Sequence, residues 1–158
     1  MHQEQTPRAG ADRPRAGADR KETAGRTLAQ TFCLVFGIVL LAVGVLGFIF
    51  ASTNFNVGDT LQGDEFIIFE VNGWHNVVHI ASGALLLLAA PKGPLAATVA
   101  TAFGLVYAVV TVWGFVDGND VLNLIPVNTA DNILHLAITA LALIAGLTAG
   151  GLMAAGRR

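Results

Sequence analysis

The chain has 158 residues, of which 54% are hydrophobic and only 13% charged, with a mean hydropathy of +0.63. A soluble domain carries roughly 25% charged residues, and here half of the charges crowd into residues 1–26, which excludes a conventional soluble enzyme. A net charge of −2 excludes a basic nucleic-acid surface, and a single cysteine, Cys33, excludes a disulfide framework or a cysteine-rich metal site.

Residues 1–26 read as a disordered tail. They carry the heptad P-R-A-G-A-D-R twice, at Pro7–Arg13 and Pro14–Arg20, with mixed charge and no bulky apolar side chains. Residues 27–158 read as a transmembrane domain. Uncharged stretches run over Thr27–Gly58, Val71–Pro91, Gly93–Val116 and Asn132–Gly156. About 20 apolar residues at 1.5 Å rise cross a hydrocarbon core of roughly 30 Å. The spacing predicts helices at about Leu28–Ala51, Gly73–Ala90, Leu95–Phe115 and Ala130–Met153. The first is expected to be an uncleaved span, since its leader is too long for a signal peptide and no clear A-x-A site follows. The acidic loop Ser52–Glu70 ends in E-F-I-I-F-E, which alternates too poorly for a strand and reads as an interfacial segment. Trp74 and Trp113 fall near helix ends as interface anchors, and Cys33 is expected to pack as a small apolar residue.

Direction follows from the basic residues. Six lie in the leader (Arg8, Arg13, Arg15, Arg20, Lys21, Arg26), Lys92 lies between helices two and three, and Arg157 and Arg158 close the chain. With four spans those places share one side, so the positive-inside rule puts both termini in the cytoplasm. The opposite side carries Asp59, Asp64, Glu65, Glu70, Asp117, Asp120 and Asp131 without a base.

The spans also repeat. Phe36–Phe48 and Phe103–Phe115 share seven of thirteen residues, and Asn72, Asn76 and His79 match Asn128, Asn132 and His135. The offsets are 67 and 56, the difference being a longer first loop. The expected fold is all-α: two parallel hairpin repeats forming a four-helix bundle, with Gly37, Gly44, Gly47, Gly83, Gly104 and Gly114 at close helix contacts.

Asn72, His75, Asn76 and His79 share one face of the second helix, and Asn128, Asp131, Asn132 and His135 one face of the fourth. His79 lies about 9 Å below the start of its helix. Ionisable groups at that depth must face the protein and find partners, so the eight are expected to converge inside the bundle. Hydrogen bonds linking the two helices are the reading adopted, with Asn72 and Asn128 also capping. Three others stand beside it: a metal site of His75, His79, Asp131 and His135, a haem between His79 and His135, and a small transporter acting as an oligomer. No G-x-S-x-G, H-E-x-x-H or phosphate-cradling loop occurs, so neither an enzyme nor a cofactor is expected. The expected partners are the lipid bilayer, further copies of the chain or other membrane proteins, and not nucleic acid.

At N-G-W-H-N-V-V-H and N-T-A-D-N-I-L-H, over about Leu28–Gly151, the chain resembles the bacterial membrane family called domain of unknown function 4383. The resemblance implies four helices in a bacterial plasma membrane and no established activity. It also implies Pro after the first Asn, where this chain has Gly73.

Overall fold

The computed structural model describes residues 25–118 and 120–156. The tandem heptad of the leader lies outside them. Four helices run over α1 (Leu28–Phe50), α2 (Gly73–Ala89), α3 (Gly93–Asp117) and α4 (Thr129–Ala155), within two residues of the expected limits at every end. Local chemistry sets those limits. Thr27 and Gln30 form a reciprocal capping box on α1, and the Asn72 side chain accepts the His75 N–H on α2. Pro94 lies at the first turn of α3, where no N–H is needed, and Gly118 ends that helix at φ 92°.

The loops hold two short antiparallel ribbons. β1 (Asp64–Phe66) pairs with β2 (Phe69–Val71), and β3 (Asp120–Val121) with β4 (Ile125–Pro126). The E-F-I-I-F-E segment, expected to alternate too poorly for a strand, is therefore a tight hairpin. Its turn lacks the usual Gly or Asn, and Ile67 sits at φ 66° in the left-handed region. Pairing the loop's backbone groups with each other, and giving the Ile68 carbonyl to Asn128, outweighs that local cost.

Helix α1 packs most closely on α2, and α3 on α4. Glycines allow the approach: a Cβ on Gly37 would strike Leu87, and one on Gly104 would strike Leu143. These pairs are related by the same two offsets as the sequence matches. Gly44 against Ile80 and Gly47 against Asn76 continue the first contact and show that α2 runs antiparallel to α1. The two helix pairs join through α1 with both α3 and α4, and through α2 with α3. Away from the ribbons the centre is filled by Phe32, Leu40, Phe103, Tyr107 and Ile138 with small alanines between them. Cys33 packs there fully buried, as expected.

The apolar surface faces outward. Ile38, Leu88, Val106 and Leu147 are all more than half exposed, and three helices (Leu28–Phe50, Gly93–Asp117, Thr129–Gly151) are long and apolar enough to cross a membrane. Such a surface is stable in lipid and not in water, which marks a multi-pass membrane protein. Helix α2 is shorter, with 17 residues.

Candidate functional site

All eight polar residues predicted to converge lie at the ribbon end of the bundle. Asn72, His75, Asn76, His79, Asp131, Asn132 and His135 are buried, and Asn128 is half-buried at the rim. They divide into two tiers.

The upper tier joins helix starts to loops. Asn72 Oδ1 accepts the His75 N–H at 2.9 Å, while its Nδ2 donates to the Leu124 carbonyl at 2.9 Å. Asn128 mirrors it: Oδ1 accepts the Asp131 N–H at 3.0 Å and Nδ2 donates to the Ile68 carbonyl at 2.9 Å. Leu124 and Ile68 are themselves 56 positions apart, like Asn72 and Asn128. Each helix start thus holds the loop that precedes the other. Asp131 Oδ2 accepts two backbone N–H groups, from Glu70 and from Asn128, both at 2.9 Å. His75 Nδ1 donates to the Glu70 carbonyl at 3.0 Å. Burial, and after it the Asp131 carboxylate, raises the Glu70 carboxyl above its ordinary range.

The lower tier is less satisfied. Asn76 Nδ2 donates to the Ser52 carbonyl at 2.9 Å. The Oδ1 atoms of Asn76 and Asn132 and the Nδ1 atoms of His79 and His135 are buried with no hydrogen-bond partner among the described residues. They form two matched pairs. Each Asn Oδ1 points at a glycine, Asn76 at Gly47 and Asn132 at Gly114, where a Cβ would collide with it. In glycine a hydrogen occupies that direction, so each oxygen meets a Cα–H, the weak contact common where helices touch.

Three imidazoles close the centre. His75 and His79 have ring centroids 4.5 Å apart, His75 and His135 6.0 Å, and one ligand atom from each of the three falls within 4.8 Å of the others. Asp131 stands outside this trio, because its carboxylate is held by the backbone N–H groups, so the four-residue set expected from spacing becomes three. His79, His135 and Asp131 also line an enclosed cavity of about 130 Å³, walled by Phe36 and Leu40 of α1 and capped by Phe66 and Ile67 of the first ribbon. Tyr107 sets its ring edge-on to His135 at 5.4 Å. Spacing alone gave no sign of Tyr107, of the two loop carbonyls or of the cavity wall. Gly47 and Gly114 were visible as matching positions when Phe36–Phe48 is set against Phe103–Phe115, but their asparagine contacts depend on helix register.

Trp74 and Trp113 are partly exposed near the ribbon end, with Nε1 donating to the Phe55 carbonyl and to Asp117 respectively.

Neither the curated proteins nor the solved structures include a significant match to this chain. A family model does match, over residues 30–148, and the chain belongs to the family described as Domain of unknown function (DUF4383).

Proposed function

We propose that the chain is a four-crossing, non-enzymatic protein of the bacterial plasma membrane, in which two repeated helical hairpins are latched together at the outer face as a structural or interaction module. The carrying observation is the exchange of hydrogen bonds between halves, Asn72 to the Leu124 carbonyl and Asn128 to the Ile68 carbonyl. Each bond ties the start of one helix to the loop that precedes the other, so this exchange fixes one half against the other.

Helix α2 completes the fourth crossing. Its 17 residues cover about 25 Å, a few ångströms short of the hydrocarbon core, and bilayers thin locally for fractions of a kcal/mol per ångström. Its contact with α1 from Gly37–Leu87 to Gly47–Asn76 favours the same crossing. All nine Lys and Arg residues then lie on the cytoplasmic side, together with both termini.

The other uses of the cluster fit less well. A cavity of about 130 Å³ is smaller than the roughly 300–1,000 Å³ of sites that take cofactor-sized ligands, which disfavours haem. Phe32, Phe103 and Tyr107 fill the centre below the histidines, which disfavours transport through a single chain.

Alanine at each latch residue tests the reading. Asn72→Ala and Asn128→Ala each remove a cap and a loop-holding bond, at an expected cost of about 1–3 kcal/mol, measured by thermal unfolding in detergent. Equal losses support the latch. A substantial loss at one position only, or at neither, contradicts it.

A further inference from the structure

The latch leaves the three histidines unexplained. His79 Nδ1 and His135 Nδ1 are buried without a partner among the described residues, although hydrogen bonding between halves should have satisfied them. Retaining unpaired polar atoms in a dry interior is costly, and two such imidazoles at matched positions, with ring centroids 4.5 and 6.0 Å from that of His75, suit a ligand site.

We propose that His75, His79 and His135 bind one first-row divalent transition-metal ion, zinc being the type case. Donor atoms all within 4.8 Å of one another have a point between them no more than about 2.8 Å from each, against zinc–nitrogen distances of about 2.0–2.1 Å. Side-chain shifts of under about 1 Å close that gap. Three neutral imidazoles without a thiolate suit zinc and its neighbours and not magnesium or calcium.

The surroundings are those of a ligated imidazole. His75 gives its Nδ1–H to the Glu70 carbonyl at 3.0 Å, a bond that fixes ring and tautomer and leaves Nε2 as the donor atom. Asp131, on the wall of the adjoining cavity, has its Oδ2 held by backbone N–H groups, which leaves the three imidazoles as the ligand set. The cavity reaches His79 and His135, so a fourth position is open to water or a small ligand. Three protein ligands with one open position make an exchangeable site, whereas sealed structural zinc sites use four.

The proposal goes beyond the latch and is tested separately from it. The full chain, without an affinity tag, is purified in mild detergent, stripped with a chelator and titrated with Co²⁺. The expected result is one ion per chain with the visible absorption of tetrahedral nitrogen-coordinated cobalt, displaced by Zn²⁺. His79→Gln and His135→Gln keep a hydrogen-bonding side chain of similar size, and each is expected to weaken binding by more than about 100-fold. The chain's fourth histidine, His2, lies in the leader, and His2→Gln is expected to change nothing. Substoichiometric cobalt without the tetrahedral band overturns the proposal, as does binding by folded His79→Gln and His135→Gln that equals wild type. If those variants do not fold, His2→Gln decides: the band at one equivalent supports the site, and its absence overturns it.

Discussion

A methyl group placed at Gly47 or Gly114 probes the lower tier without substituting any of its polar side chains. In each case the new Cβ lies on the Oδ1 of the facing asparagine, Asn76 or Asn132. Asn76 cannot retreat freely, since its amide donates to the Ser52 carbonyl at 2.9 Å. Overpacking of this kind costs about 1–3 kcal/mol, and the lost Cα–H contact adds about 0.5–1 kcal/mol. Alanine returns up to about 1 kcal/mol of helix propensity. The net expectation is a destabilisation of about 1–3 kcal/mol for Gly47→Ala and for Gly114→Ala. Gly150, with open space where a Cβ would stand, is the control, and Gly150→Ala is expected to be neutral or slightly stabilising. The assay is thermal unfolding in detergent, followed by helical circular dichroism. Adding Asn76→Ala to Gly47→Ala removes the obstructing oxygen, so the pair should cost less than the sum of the singles by about 0.5–3 kcal/mol. Glycine variants no more harmful than the Gly150 control, or strictly additive with Asn76→Ala, would refute the close contact.

Two further predictions concern the ends of the bundle. Gln30 completes the capping box of α1 and donates through Nε2 to the Ala90 and Pro91 carbonyls at 3.1 and 3.2 Å, so Gln30→Ala is expected to cost about 1–2 kcal/mol, and an unchanged unfolding temperature would show that this tie is not formed. Leu122 is 60% exposed with φ 61°, a conformation that costs a residue with a Cβ about 1–2 kcal/mol. Glycine there should stabilise by up to about 1 kcal/mol after its own entropy cost, and a loss of stability in the same unfolding assay would contradict the turn geometry.

The helices were legible in the sequence because a charge or a capping residue stops each apolar run: Thr27 before α1, Asn72 before α2, and Asn128 with Asp131 before α4. Lipid makes this reading easy, since a charge inside a span is costly. The ribbons were not legible. Their strands are two or three residues long, and their turns place Ile67 and Leu122 where Gly or Asn is the usual signal, with Asn123 at φ 52° supplying it only at the next position of the second turn.

For the site, spacing put His75 with His79 on one face and Asp131 with His135 on another, and the structure brings three of these four together. Asp131 departs because its oxygen is taken by the N–H of Glu70, a residue far away in the chain whose position depends on how the first loop folds. Helical periodicity carries no information about such a partner. The matched glycines illustrate a different limit. Their alignment in the repeat was visible, but that Gly47 meets Asn76 while Gly37 meets Leu87 follows from the antiparallel register of α1 and α2.

The paired-hairpin arrangement requires α2 to cross the membrane, and single-cysteine labelling on intact cells tests that most directly. In a Cys33→Ala background, cysteine is introduced at one of three exposed sites: Asp59 in the first loop, Lys92 between α2 and α3, or Asn123 in the second ribbon. A membrane-impermeant maleimide is expected to label Asp59→Cys and Asn123→Cys, and to label Lys92→Cys only after the membrane is opened. Labelling of Lys92→Cys from outside, or protection of either loop position, would contradict four crossings with cytoplasmic termini.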